Sequence, residues 1–140
     1  TLVRPDILSV MKKGEHSSTF GGNPLACAAG TATLQALTQD GLIENAKSMG
    51  EKFSNGLEEL KSKHSVIREI RGKGLMIGVE LKFEVKDILM EGIKNGLLLL
   101  YSGRNILRFL PPLVISEGDV VKTLQILYKL LTNEENRRNG

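Results

Sequence analysis

Apolar residues recur at helical spacing in two long stretches of the chain. In the first stretch they fall at steps of three and four, while Glu and Lys residues occupy the opposite face. The members of this stripe are Leu42, Ala46, Met49, Phe53, Leu57 and Leu60. The members of the second stripe are Val120, Leu124, Leu127 and Leu131. It follows Ser116 and Asp119, a variant capping box, and predicts a final helix that ends at about Thr132.

Between these helices the pattern changes to the alternation that is typical of strands. Leu75, Ile77, Val79 and Leu81 are separated by Met76, Gly78 and Glu80. Strands are predicted at 66–71, 75–81, 97–101 and 106–110, with a short helix at about 84–94. Asn95-Gly96 is a typical helix end, and Pro111-Pro112 ends the last strand.

The N-terminal part of the chain predicts two further helices. A weakly periodic segment, 6–13, precedes a loop at 14–22 that is rich in glycine and hydroxyl groups. Asn23 is then placed as an N-cap with Pro24 in the first turn of a helix that extends to about Gln39. The order of elements predicts an α+β domain, with helices on one side of a small, mostly antiparallel sheet.

Composition excludes several classes of protein. The chain has 140 residues, a net charge of +3 and 41% hydrophobic residues, which fits one folded domain. Its basic residues form no stripe interleaved with aromatic residues, so no nucleic-acid partner is predicted. The long uncharged stretch 17–39 is interrupted by glycines and Pro24, so no membrane helix is predicted. A single cysteine excludes a disulfide framework and favours a cytoplasmic location.

The two histidines and the single cysteine do not indicate a metal site or a catalytic site. His16 and His64 lie far apart without ligand spacing, so no metal site is predicted. Cys27 stands among alanines in the predicted helix 24–39, which favours a buried, inert thiol. The small residues around it suit close packing against another backbone.

The loop before Asn23 is the first candidate site. Ser17, Ser18 and Thr19 supply hydroxyl groups directly ahead of a helix N-terminus, and the glycines at 21 and 22 allow close backbone approach. Such a loop suits an anion, above all a phosphate. The alternative is an ordinary turn with solvated hydroxyls.

Arg108 is the second candidate. It is the only charged residue between Asn105 and Ser116, within a predicted strand of apolar residues. A guanidinium in this position needs a partner, and its planar fork fits a carboxylate. That partner is either a distant Asp or Glu of the chain or the carboxylate of a ligand.

Three ordered motifs resemble one enzyme family. The segment 15–29, which contains Ser-Ser-Thr-Phe-Gly-Gly-Asn-Pro, closely resembles a motif of class III aminotransferases, which have fold type I and depend on pyridoxal phosphate. Segments 71–81 and 107–113 match two further motifs of the family in the same order. The Arg-x-x-Pro-Pro form of the last motif is most similar to the acetylornithine/ornithine branch, and the 4-aminobutyrate branch is the alternative. Ser17 departs from the family, which often has Gly at this place.

The resemblance implies a role for each candidate residue. Ser18 and Thr19 would bind the phosphate of pyridoxal phosphate across the interface of a homodimer, and Arg108 would hold the α-carboxylate of the substrate. The implied reaction moves an amino group from acetylornithine or ornithine to 2-oxoglutarate, in arginine or lysine biosynthesis. A substrate presented by an acidic amino-group carrier protein is a further alternative.

The resemblance also implies that other parts of the enzyme are missing from this sequence. None of its twelve lysines stands in a context that resembles the Schiff-base lysine of the family, so no catalytic residue is predicted here and the chain alone is expected to be inactive. Residues 1–22 are expected to lead from a large domain, and 23–140 to form the C-terminal small domain. The competing hypothesis is a non-catalytic binding or dimerisation module derived from this domain.

Overall fold

The computed structural model describes residues 3–12, 14–15 and 17–139. The elements of this part of the chain are α1 (Pro5–Leu8), α2 (Pro24–Gln39), α3 (Leu42–Lys63), β1 (Ile67–Lys73), β2 (Met76–Leu81), α4 (Lys86–Lys94), β3 (Leu100–Ser102), β4 (Ile106–Phe109) and α5 (Glu117–Asn139).

The strands form one antiparallel sheet in the order β1-β2-β4-β3. The hairpin between β1 and β2 turns at Gly74, which has a φ of +55°. After β2 the chain passes through α4 to the edge strand β3 and then returns along β4, which lies between β2 and β3. The predicted α+β class with an antiparallel sheet is confirmed.

Helices cover one face of this sheet. The alternate residues Ile77, Val79 and Leu81 of β2 are buried, and Leu107 and Phe109 of β4 are buried beside them. The Phe109 ring meets Phe53 of α3 edge-on, with ring centroids 5.0 Å apart. Residues of α5, including Leu127 and Leu131, complete the same core. The predicted stripes of α3 and α5 and the predicted alternation of β2 are therefore confirmed.

The second predicted helix, α2, has the predicted bounds but not the predicted environment. Asn23 caps it, since its side chain accepts a hydrogen bond from the Ala26 backbone N–H at 2.9 Å. However, α2 has no buried residue, and Cys27 is exposed. The prediction of a buried thiol is wrong for this chain, and the small residues around Cys27 pack against no other backbone in its described part.

The first and last helices differ from their predicted lengths. α1 ends at Leu8 and has no buried residue, whereas the prediction extended to Lys13, which lies outside the described residues. α5 continues seven residues beyond Thr132. Its extra turns are held by ion pairs that an apolar stripe does not reveal, because Glu134 binds both Arg137 and Arg138 and Arg137 reaches Asp87 of α4 at 2.6 Å.

The edge strand β3 is also shorter than predicted. The prediction began it at Leu97, but the Leu97 backbone N–H donates to the Gly92 carbonyl at 2.8 Å and completes the end of α4. Gly96 has a φ of +76°, as the predicted left-handed helix stop requires. The strand begins only at Leu100, once the backbone has left this turn.

Gly50 allows α3 to approach the β1–β2 hairpin closely. A Cβ atom at this position would lie 2.4 Å from the Gly74 carbonyl oxygen and 2.7 Å from the Gly74 Cα. These are backbone atoms of a tight turn, which cannot move aside as a side chain can. Gly50 therefore sets the distance between the main covering helix and the hairpin.

We expect Gly50→Ala to lower the free energy of unfolding by about 1–3 kcal/mol, because the added methyl group overpacks against backbone. Gly30→Ala in α2 is the matched control, since no atom lies within 4 Å of a Cβ built there. Urea denaturation of both variants measures the difference. Equal stability of the two would show that the hairpin accommodates a larger residue.

Candidate functional site

The loop before α2 is held in shape by Asn23 and the residues around it. The Asn23 amide donates to the Phe20 carbonyl at 2.6 Å, and the Gly21 N–H donates to the Ser18 carbonyl at 3.3 Å. Gly22 has a φ of +73°, which favours glycine, and a Cβ at Gly21 would touch the Ser18 side chain at 3.0 Å. The glycines therefore permit the turn that brings the loop to the start of α2.

Ser18 and Thr19 are exposed on this loop. Among the residues that the structure describes, neither hydroxyl forms a hydrogen bond, so both remain available to a ligand. Hydroxyl groups beside a helix N-terminus can donate hydrogen bonds to the oxygens of a phosphate. The Glu15 carboxylate accepts a hydrogen bond from the Lys12 backbone N–H at 2.7 Å. Exposed hydroxyls fit both an anion site and a plain turn with solvated hydroxyls, so the phosphate-binding role of this loop stays a prediction.

Arg108 lies in the middle of β4 with its side chain exposed on the uncovered face of the sheet. Its flanking residues Leu107 and Phe109 point into the core. Within the described part of the chain, no Asp or Glu lies within ion-pair distance of Arg108. The alternative of an internal ion pair is therefore not supported, and the guanidinium is free to bind a carboxylate from outside.

The other six arginines differ from Arg108 in this respect. Each has a carboxylate oxygen within 4.0 Å. They are Arg4, Arg68, Arg71, Arg104, Arg137 and Arg138.

The register of the sheet places a second arginine near Arg108. Arg71 of β1 pairs with Gly78 of β2, and Gly78 pairs in turn with Arg108, which pairs with Leu100 of β3. Paired residues of adjacent strands point to the same face of a sheet. Arg71, Gly78, Arg108 and Leu100 thus form one row across the uncovered face, which we call the arginine row.

Glu80 lies on the same face, beside the arginine row. It accepts hydrogen bonds from Arg68 at 2.8 Å and from Arg71 at 3.0 Å, and Asn105 approaches it at 3.4 Å. The Arg71 and Arg68 guanidiniums hold the pKa of Glu80 below its usual range. Arg71 also binds Glu69 at 2.7 Å.

Sequence analysis missed Arg71 and Glu80 as members of a cluster with Arg108. The sequence pattern could have revealed this cluster. A hairpin that turns around Lys73 and Gly74 pairs position 71 with position 78 and position 69 with position 80. Thr19 and Arg108, in contrast, were predicted individually. Within the described residues no hydrogen bond connects the loop of Thr19 with the arginine row.

His64 has a structural contact of its own. It is 3% exposed, its Nδ1 lies 2.8 Å from the Glu135 carboxylate, and its ring packs edge-on against Tyr128. His16 lies outside the described residues. In the part of the chain that the structure describes, no group of His, Cys, Asp and Glu side chains is suited to hold a metal ion. No described helix combines the length and apolar character that crossing a membrane requires.

We expect Glu80→Gln to lower the melting temperature more at pH 7 than at pH 3. The pKa of Glu80 is lowered in the folded chain, so its stabilising contribution is present above its ordinary pKa of about 4.5 and is lost as the pH falls through the lowered value. The control is Glu58→Gln, whose carboxylate is exposed and lies 3.9 Å from Lys61. An equal effect of Glu80→Gln at both pH values would contradict the ionic role of Glu80.

Comparison with a family model identifies the relatives of this chain. The model of the family described as aminotransferase class-III matches residues 1–131. The acetylornithine aminotransferase of Caldanaerobacter subterraneus subsp. tengcongensis is 46% identical over 132 residues, which cover 94% of this chain and 34% of that protein. The chain spans about a third of the length of the curated relatives it matches.

Solved structures agree with these sequence relatives. The acetylornithine aminotransferase of Elizabethkingia anophelis superposes with a TM-score of 0.83 at 35% identity, covering 94% of this chain and 36% of that one. The ornithine delta-aminotransferase of Plasmodium falciparum gives a TM-score of 0.88 at 35% identity, covering 97% and 36%. The implied relationship is confirmed, and the chain belongs to the class III aminotransferase family.

Proposed function

We propose that this chain is the C-terminal part of a pyridoxal-phosphate-dependent aminotransferase that takes the amino group of acetylornithine or ornithine. The acceptor is 2-oxoglutarate, and the pathway is arginine biosynthesis. The names of the relatives and the Arg-x-x-Pro-Pro sequence at 108–112 favour this branch over the 4-aminobutyrate branch. The presentation of substrate by a carrier protein and a role in lysine biosynthesis have no comparable support.

The observation that carries the proposal is the uncompensated charge of Arg108. A planar guanidinium on a rigid central strand binds a carboxylate through two parallel hydrogen bonds. The strand end is fixed, because Pro111-Pro112 follows it and the Asn45 side chain of α3 donates to the Leu113 carbonyl at 2.7 Å. Arg108 is therefore positioned to hold the α-carboxylate and to orient the amino group of the substrate.

Ser18 and Thr19 are proposed to hold the phosphate of pyridoxal phosphate. Their exposed hydroxyls can donate hydrogen bonds, while the Asn23 side chain accepts from the Ala26 N–H in the first turn of α2. When bound, the cofactor supplies the electron sink that amino-group transfer needs. The lysine that attaches it, and the cations that balance its charge, are assigned to the rest of the protein.

A homodimer and a cytoplasmic location belong to the same proposal. α2 and the loop before it expose large apolar side chains, among them Phe20, Leu25 and Leu34, at 65–81% of their surface. Such a surface is typical of a contact with another protein surface. We propose that the partner subunit lies here, so that Thr19 reaches the cofactor of that subunit. The single cysteine is compatible with a reducing compartment.

In the full-length enzyme we expect Arg108→Lys to lower kcat/KM for the amino donor and for 2-oxoglutarate by roughly tenfold to a hundredfold. Lysine keeps the charge but loses the bidentate geometry, which is worth about 1.4–3 kcal/mol of binding. The melting temperature without substrate should stay within about a degree, because Arg108 has no acidic partner within the described residues.

Arg104→Lys is the matched control for this measurement, since Arg104 is exposed and lies 3.8 Å from Glu84 in the neighbouring turn. It should leave kcat/KM unchanged. A large fall in melting temperature with normal kinetics for Arg108→Lys would reject the carboxylate-binding role.

We expect Thr19→Ala to weaken the binding of pyridoxal phosphate by about 1.5–3 kcal/mol, since a hydrogen bond to a charged group is lost. In mixed dimers of wild-type and variant subunits, the defect should appear in the site of the wild-type partner. Cofactor release from each subunit, monitored by absorbance, makes the comparison. Thr132→Ala is the control, because the Thr132 hydroxyl already donates to the Tyr128 carbonyl in α5, outside the proposed dimer surface. A defect in the variant's own site would refute the contact across the interface.

A further inference from the structure

Residues 110–115, which we call the β4–α5 connection, leave the sheet directly after the strand that carries Arg108. The registered pairing of β4 with β2 ends at Phe109, so the connection lies beyond the ladder of the sheet. Pro111 and Pro112 have no backbone N–H group and cannot extend that ladder. The connection therefore needs another contact to hold it in place.

The β4–α5 connection and Arg108 line the same cavity, which has a volume of about 260 Å³. Leu110, Pro111, Pro112 and Ile115 of the connection contribute to its lining. A ligand that occupies this cavity meets both Arg108 and the connection. The shape of the space beside the guanidinium therefore depends on where the connection is held.

Hydrophobic packing holds the β4–α5 connection only at its end. Ile115 is 8% exposed, whereas Leu110, Leu113 and Val114 are 44%, 37% and 70% exposed. The Ile115 N–H donates to the Pro112 carbonyl at 3.0 Å, which closes a turn inside the connection but does not tie it to another element. Burial of side chains therefore leaves most of the connection without support.

Asn45 of α3 supplies that support. Its side-chain Nδ2 donates to the Leu113 carbonyl at 2.7 Å and to the Ile115 carbonyl at 3.1 Å. Both partners are acceptors, so the two hydrogens of one amide group satisfy them together. Among the residues that the structure describes, no other side chain forms a hydrogen bond with the backbone of the connection. Asn45 therefore ties the connection to the helix that rests on the β1–β2 hairpin.

We propose that Asn45 is a positioning residue for the carboxylate site. The proposal rests on the proposed function, in which Arg108 binds the substrate carboxylate. By holding the carbonyls of Leu113 and Ile115, Asn45 keeps the β4–α5 connection in place, so that a carboxylate meets Arg108 in a cavity of fixed shape. Its effect falls on the binding of substrate and not on the transfer of the amino group.

Asn45→Asp in the full-length holoenzyme tests this proposal. An ionised aspartate has nearly the same shape but no hydrogen to donate, so both bonds to the connection are lost. We expect the KM values of the amino donor and of 2-oxoglutarate to rise about three- to tenfold, with kcat within about twofold of the wild-type value, because only binding is weakened.

Lys52→Met is the matched control. Lys52 lies on the same helix and forms an exposed ion pair with Glu117, just after the β4–α5 connection. Exposed ion pairs contribute little, and this one does not involve the backbone of the connection. Lys52→Met should therefore change KM and kcat by less than about twofold.

A double variant separates a positioning role from a purely structural one. Arg108→Lys has already lost the bidentate contact that the connection orients, so the addition of Asn45→Asp should raise KM by less than about a further twofold. If Asn45 only stabilises the fold, the two effects multiply, which would overturn the proposal. A normal KM for Asn45→Asp alone, with or without a fall in kcat, would overturn it as well.

Asn45→Ser keeps the test decisive if Asn45→Asp fails to fold. A serine hydroxyl has one hydrogen, so at least one of the two bonds is lost, and a rise in KM without additivity is again expected. Arg108→Lys alone distinguishes this proposal from the proposed function. If it leaves kcat/KM unchanged, the carboxylate site itself is refuted; if it lowers kcat/KM while the Asn45 variants have normal KM values, only the role of Asn45 is.

Discussion

The packing of α3 and α5 against one face of the sheet is the constraint on which the candidate site depends. Side chains alternate between the two faces of a strand, so burial of Leu107 and Phe109 forces Arg108 onto the uncovered face. A shift of the register by one residue would place the guanidinium in the core, where an unpaired charge is very costly. The hydrophobic core therefore determines where Arg108, the proposed carboxylate-binding group, can be.

The register in turn depends on the β1–β2 hairpin and on its contact with α3. Gly74 provides the left-handed turn, and Gly50 allows the helix to rest on that turn. This contact fixes β2, which is the strand that both β1 and β4 pair with. The pairing of Arg71 with Gly78 thus follows from one turn and one close helix approach, and the pairing of β4 with β2 adds Arg108 to the same row.

Much of this arrangement could be predicted from the sequence because its causes are local or periodic. The cap at Asn23, the stripe of α3 and the alternation of β2 each depend on residues within a few turns of one another, and each was predicted correctly. The length of α5 was missed because Glu134, Arg137 and Asp87 act through ion pairs, one of them between two helices. The exposure of Cys27 was missed because an apolar helix indicates burial without indicating which surface covers it.

The candidate site was predicted as separate residues and not as a cluster. Arg108 could be found because a charge within an apolar strand is conspicuous. Glu80 and Arg71 were inconspicuous, since an acidic or basic residue on the polar face of a strand is expected of any half-exposed sheet. Only the register shows that they lie beside Arg108.

The distribution of charge on the uncovered face argues that the state of Arg108 is not an accident of surface composition. Acidic residues are nearly as frequent as basic residues in this chain, and six of its seven arginines have found a carboxylate. Exposed ion pairs of this kind add little stability, so their frequency reflects how readily a surface arginine meets an acid. Arg71 lies on β1, which flanks β2 on the side opposite to β4, and it forms ion pairs with two carboxylates, those of Glu69 and Glu80. Arg108 meets none among the described residues, and its place in the interior strand β4 supports the proposal that its partner arrives from outside the domain.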